Sequence, residues 1–249
     1  MTTATEGNGT YTGLVAELHD RMYPDALGDI AQLIACLQRV APGPRVMEFG
    51  IGSGRAALPL AEAGLDVSGV EISSDMLRLL AERDTEKRIT ARRASFIDDE
   101  LEGEYDAVTL LLNTLLVATT AEQQLAVLRN ARRCLAPGGV LLVECFTPSR
   151  YHGLTAPAMS LRDLGDGDVV IEQYTVEPSL QLLVSQNLVF VGEKRSTYTQ
   201  VLRYVFPAEL DSAARLAGLE PLGRMADWQG APVTAASERF ISAYRRSAE

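Results

Sequence analysis

Residues 45–55 read Arg45-Val46-Met47-Glu48-Phe49-Gly50-Ile51-Gly52-Ser53-Gly54-Arg55, and the chain continues Ala56-Ala57-Leu58. An apolar run of strand length passes into three glycines at alternate positions and then into a helix-forming stretch. Such a strand-turn-helix unit has little side chain in its turn, so a ligand can touch the backbone and take hydrogen bonds from amides at the helix start. Two ligand classes suit it, a dinucleotide and an adenosyl amino acid. A dinucleotide fingerprint needs its third glycine at position 55, where this chain has Arg55; the glycine falls at Gly54 instead. That spacing favours the adenosyl amino acid.

Working outward, short apolar runs alternate with helical segments, the pattern of a parallel sheet covered on both faces. Strands are expected at 45–50, 66–71, 89–93, 105–112 and 139–146, with helices at about 53–63, 73–83 and 120–135. Pro137-Gly138-Gly139 would stop the last helix and start the next strand. Before this core, residues at helical spacing from Leu14 to Leu37 predict two helices broken near Pro24. After Phe146, three stretches rich in Val, Leu, Tyr and Thr (169–171, 180–191 and 196–205) predict antiparallel strands laid over the sheet. A helix from Pro207 to Leu216 and strands near 219–227 and 238–245 return the chain to the core. The expected fold is α/β, a Rossmann-like seven-stranded mixed sheet with helices on both faces, an N-terminal helical cap and a small antiparallel β insertion. The expected segments are a cap at 1–43, a cofactor-binding core at 44–146, the insertion at 147–205 on the acceptor side, and a completing helix and strand pair at 206–249.

The chain has 249 residues, 47% hydrophobic, enough to bury a sizeable core. Its formal charge of −10 argues against docking on phosphate backbones or anionic lipid. Neither a secretory leader nor an apolar run of about 20 residues is evident, so no membrane association is expected. Cys36, Cys134 and Cys145 are odd in number and widely spaced, which suits reduced thiols packed in the core of a cytoplasmic protein. No cluster of side chains has metal-ligand spacing, and no metal is expected.

Glu71 ends the second predicted strand, where its carboxylate can accept hydrogen bonds from two ribose hydroxyls, and Ser73 or Ser74 can cap the next helix. With these features in view, VMEFGIGSGRAALPLAEAGLDVSGVEISSDML and LAPGGVLLVE resemble the motifs of class I S-adenosylmethionine-dependent methyltransferases. The resemblance spans about residues 11–146. The tail LRYVFPAELDSAARLAGLEPLGRMADW, with ERFISAYR, is similar to small-molecule, natural-product tailoring members from actinobacteria. YTGLVAELHDRMY resembles the N-terminal helix of amino-sugar N-methyltransferases.

The resemblance implies S-adenosyl-L-methionine as cofactor and transfer of a methyl group to nitrogen or oxygen of a small molecule, in antibiotic or other secondary metabolism. Glu48 would orient the methionine amino group, Gly50, Gly52 and Gly54 would make room beside Arg55, and Glu71 would hold the ribose. Ile72 and Met76 would lie near the adenine. Where relatives carry an acidic residue after the third strand, this chain has Ala94-Ser95-Phe96, so Ser95 and Phe96 take that position, with Asp98 or Asp99 as substitutes. Asn113 would face the methionine portion, and Tyr11 and Tyr23 would close over it. His152, Tyr23 and Glu144 are the candidates for touching the chemistry, with His19 the other histidine. The oligomeric state is open, a homodimer included. Rival readings are a family member that binds the cofactor without transferring methyl, a metal-dependent catechol-type enzyme, and an NAD-dependent oxidoreductase.

Overall fold

The computed structural model describes residues 11–24, 28 and 30–246. The first ten residues of the expected cap lie outside the described residues. Two helices come first, α1 (Gly13–Met22) and α2 (Ile30–Val40). Helix α2 buries Leu33, Cys36 and Leu37, a single stripe at helical spacing, against one face of a central sheet.

That sheet alternates with helices: β1 (Arg45–Phe49), α3 (Ala57–Glu62), β2 (Asp66–Glu71), α4 (Ser74–Arg83), β3 (Thr90–Arg93), β4 (Tyr105–Leu110), α5 (Ala121–Cys134) and β5 (Leu135–Phe146). Strands β1 to β5 run parallel. Two later strands, β10 (Leu219–Met225) and β11 (Arg239–Arg246), follow helix α6 (Pro207–Leu216) and join antiparallel, giving the order β10-β11-β5-β4-β1-β2-β3. The expected seven-stranded mixed sheet is therefore present. Side chains alternate across it: Val46, Ala107 and Leu142 face α2, while Phe49, Val108 and Leu141 face α5. All three cysteines are buried and unpaired. The strand order reverses between β1 and β4, and the crevice beyond the carboxyl ends of such strands is where ligands bind in open α/β sheets.

Residues 158–203 form a second, four-stranded antiparallel sheet: β6 (Ala158–Gly165), β7 (Asp168–Glu177), β8 (Leu182–Val191) and β9 (Lys194–Arg203). Strand β6 was not anticipated. It is an edge strand, and Met159 and Leu161 stand out in solvent at 70% and 66% exposure, so burial gives it no alternating signature. Helix α3 starts at Ala57 rather than near 53, because Gly50, Gly52 and Gly54 all take left-handed backbone angles and prolong the turn. Pro59 consequently lies in the first turn of α3, where an amide commonly lacks a helical acceptor, and so costs the helix little. The Pro137-Gly138-Gly139 stretch is an irregularity inside β5, which pairs with β4 already at Leu135, rather than a turn before it. Helix α1 packs Val15, Leu18 and Met22 onto Val170 and Val189 of the second sheet. Among the described residues no helix is long and apolar enough to cross a membrane.

Candidate active site

A cavity of about 1030 Å³ opens at the carboxyl ends of β1, β2, β4 and β5, roofed by α1 and the second sheet. Its floor is the glycine turn. Gly50 and Ile51 donate their amides to the Val70 carbonyl at 2.9 and 3.1 Å, which pins the turn to the end of β2. A Cβ added at Gly52 would meet nothing in the protein closer than the Gly50 carbonyl at 3.9 Å, so that side of the turn is open. Gly54 differs: a Cβ there would lie 2.5 Å from Leu80, and the residue does not line the cavity. Its expected cofactor role is corrected to one of close packing between the turn and α4.

The Glu71 carboxylate accepts from the Gly52 amide at 3.2 Å and the Ser73 amide at 2.8 Å. Burial raises its pKa, and these amides pull it back. Ser73 in turn caps α4 through the Met76 amide at 3.2 Å. Glu48, 5% exposed, lines the same cavity; burial and the nearby Glu71 charge push its pKa up to about 8. Its Oε2 has no hydrogen-bond partner. Ile72, Met76, Ser95 and Phe96 form the adjoining wall. The Phe96 ring lies parallel to Phe49 at 6.0 Å between centroids. Asp99 accepts from the Ser95 amide at 2.8 Å and Asp98 from the Ser95 hydroxyl at 2.9 Å; of the two acids only Asp98 lines the cavity.

Tyr11 and Tyr23 flank α1 and both reach the cavity. The Tyr11 hydroxyl accepts from Gln200 of β9 at 3.0 Å, and Arg162 of β6 lies over the Tyr23 ring at 4.9 Å. His19 sits between the two tyrosine rings, at 4.4 and 5.3 Å from their centroids. Burial lowers its pKa, so it is neutral near pH 7. Arg55 Nη2 lies 3.0 Å from His19 Nδ1, and a guanidinium can only donate, so Nδ1 is occupied as an acceptor.

A methyltransferase-domain family model matches residues 46–139. The whole chain is similar to the CcbJ methyltransferase of Streptomyces caelestis, with a TM-score of 0.88 and 32% identity, covering 98% of this chain and 100% of that one. The chain belongs to the S-adenosylmethionine-dependent methyltransferases. It is also similar to the cypemycin N-terminal methyltransferase of a Streptomyces species, 29% identical over 219 residues, 87% of this chain and 89% of the relative. The dTDP-3-amino-3,6-dideoxy-alpha-D-glucopyranose N,N-dimethyltransferase of Streptomyces fradiae is 30% identical over 148 residues, 57% of each chain.

In this methyltransferase several expected site residues have other work. Arg55 lines the cavity with its guanidinium engaged by α1: it bonds Asp20, the Tyr23 carbonyl at 2.6 Å and the His19 carbonyl at 3.1 Å. Glu144 also lines the cavity, yet Oε2 accepts from the Leu112 amide at 3.0 Å and Oε1 from Arg239 at 2.7 Å. It is a buried structural ion pair, 3% exposed, and not a free proton acceptor. His152 is not part of the cavity wall; its Nδ1 lies 2.7 Å from the Tyr204 hydroxyl and its ring packs edge-on against Phe206. Asn113 adopts a left-handed conformation (φ 70°) at the end of β4, and its Oδ1 accepts from the Phe146 amide at 2.7 Å, which fixes the rim between β4 and β5.

The structure adds Asp20, Arg162, Gln200 and Arg239 to the cavity wall. Gln200 shares a face of β9 with Tyr198, an alternation visible in the sequence. Arg162 rides on the unanticipated β6 and pairs with the buried Glu172 at 3.1 Å. No sequence signal marks Arg239, whose partner Glu144 is 95 residues away.

Proposed function

We propose that this methyltransferase methylates an amine nitrogen of a small biosynthetic acceptor, such as an amino sugar. One observation carries the reading: each candidate base that the sequence offered is either engaged by other groups or absent from the cavity wall. Glu144 is buried and held by the Leu112 amide and the Arg239 guanidinium, His152 lies elsewhere, and His19 Nδ1 is filled by Arg55. A hydroxyl acceptor would need its proton removed, whereas an amine bound in neutral form attacks with its own lone pair. Two relatives support the reading by name, one a cypemycin N-terminal methyltransferase and the other an N,N-dimethyltransferase of an amino sugar.

The wall fits S-adenosylmethionine. An orphaned, buried Glu48 oxygen suits an ammonium group, Glu71 keeps lone pairs for hydroxyls after accepting its two amides, and the open side of Gly52 leaves room for a ligand against the turn. Ile72, Met76 and Phe96 supply the apolar wall for the adenine, beside Ser95 and Asp98. The cofactor, when bound, supplies an electrophilic methyl carbon on a sulfonium. The protein's contribution is to hold the nucleophile in line and exclude water, which can account for much of the acceleration in a displacement of this kind. Tyr11, Tyr23 and Gln200 form the lid side of that enclosure, and Asn113 sets its rim.

The test is a panel of amino sugars and their hydroxy counterparts incubated with enzyme and S-adenosylmethionine. Release of S-adenosylhomocysteine with a one-methyl mass gain on amines alone supports the reading. Methylation of the hydroxy compounds at equal rate overturns it.

A further inference from the structure

Helix α1 is fastened at both ends to the two loops that build the cofactor cradle. At its start the Tyr11 carbonyl accepts from the Ser73 hydroxyl at 2.5 Å, and the Gly13 amide donates to Asp75 at 2.7 Å. These partners follow directly on Glu71. At its end Arg55 holds the His19 and Tyr23 carbonyls, placing a cation at a helix C-terminus. The group that aims Arg55 is Asp20. It accepts from Arg55 Nε at 3.1 Å and Nη2 at 2.7 Å, from the Ser53 hydroxyl at 3.2 Å, and from Arg83 of α4. Arg83 also donates to the Ser53 hydroxyl at 2.9 Å.

We propose that Asp20 is a positioning residue that couples closure of α1 to occupancy of the glycine turn, so that bound cofactor orders the helix carrying Tyr11, His19 and Tyr23 over the acceptor space. Two residues of the turn, Ser53 and Arg55, meet on one carboxylate of the cap. A shift of the turn on ligand binding is therefore felt at α1, and by reciprocity an ordered α1 tightens the ligand. An isolated exposed ion pair would contribute little. Here Arg55 is 17% exposed and is shared by the carboxylate and two helix carbonyls, so removing Asp20 releases several contacts together. Position 55, the third glycine of a dinucleotide turn, is in this chain the strap of the cap. The inference rests on the reading of this turn as the cofactor cradle.

The experiment compares full-length wild type, Asp20→Asn and Asp20→Glu by calorimetric titration with S-adenosylhomocysteine and by amide hydrogen exchange of residues 13–22, with and without that ligand. In wild type the ligand slows exchange across α1. In Asp20→Asn the ligand should bind about tenfold more weakly and the slowing of α1 should disappear, while exchange in β1 and β4 stays as in wild type. Asp20→Glu, which keeps the carboxylate, should recover part of both. Wild-type affinity together with wild-type slowing of α1 in Asp20→Asn overturns the proposal. If that variant does not fold, Arg55→Lys, which keeps the charge and loses the fork, gives the same two readouts, and unchanged values there overturn it equally. A wild type that binds no S-adenosylhomocysteine refutes the cradle reading itself and the proposal with it.

Discussion

Glu71 reaches back to the turn that precedes it in the sheet: its Oε2 accepts the Gly52 amide at 3.2 Å across 19 residues of chain. One carboxylate thus both shapes the glycine turn and keeps lone pairs for a ligand. Glu71→Gln, which keeps an acceptor oxygen but loses the charge, should weaken S-adenosylmethionine binding by about tenfold, and Glu71→Ala by more, since the turn also loses its anchor. Titration calorimetry reads both; normal affinity in Glu71→Ala would remove this residue from the site.

The glycines should separate by what they fail. Gly52→Ala makes only an ordinary van der Waals contact, with the Gly50 carbonyl at 3.9 Å, but places a methyl in the open side of a turn at φ +56°. It should cost about 1 kcal/mol of stability from backbone strain and lower cofactor affinity by more than tenfold. Gly54→Ala drives a methyl to 2.5 Å from Leu80, so its loss should appear chiefly as instability, about 2 to 3 kcal/mol. Urea unfolding alongside ligand titration distinguishes the two patterns.

Glu48 makes apo stability fall with pH. Its carboxyl is raised from an ordinary 4.5 to about 8, so the folded state binds the proton more tightly than the unfolded chain. That stabilisation is fully present below pH 4.5 and declines by about 1.4 kcal/mol per pH unit until it is lost as pH rises through 8. Glu48→Gln, neutral throughout, should show a flatter stability curve and exceed wild type at pH 9. Cofactor affinity should behave oppositely in wild type, strengthening toward pH 8 as the carboxylate forms to meet an ammonium, a trend that Glu48→Gln should lack.

The Glu144–Arg239 pair tests the correction of a catalytic candidate. Arg239→Met strands a carboxylate whose side chain is 4% exposed and should destabilise by about 3 kcal/mol in thermal or urea unfolding. Glu144→Gln should leave kcat within about threefold of wild type, whereas loss of a true general base costs about a hundredfold or more. A hundredfold fall in kcat with intact folding would restore Glu144 to the chemistry.

Much of the fold was legible because it rests on local patterns. The run Arg45–Phe49, the glycine turn and the helices at 74–83 and 121–134 follow from apolar periodicity and breaker residues. Glu71 was readable because a strand end beside a switch point has a defined place. Strand β6 was not, since its apolar Met159 and Leu161 stand in solvent while Ser160 and Arg162 bond the buried Glu172, the inverse of the pattern that marks a core strand.

The residues of this chain by themselves determined the sheet order's raw material, the ligand turn and the family of cofactor, because each depends on contacts within a few dozen positions. Only the tertiary structure decided what Arg55, Glu144 and His152 do. Their partners, Asp20, Arg239 and Tyr204, lie 35, 95 and 52 residues away, and a long polar side chain takes whichever partner the fold delivers. A charged group that meets its counter-charge in the core is withdrawn from chemistry, since desolvation makes that pairing far too costly to break for a substrate.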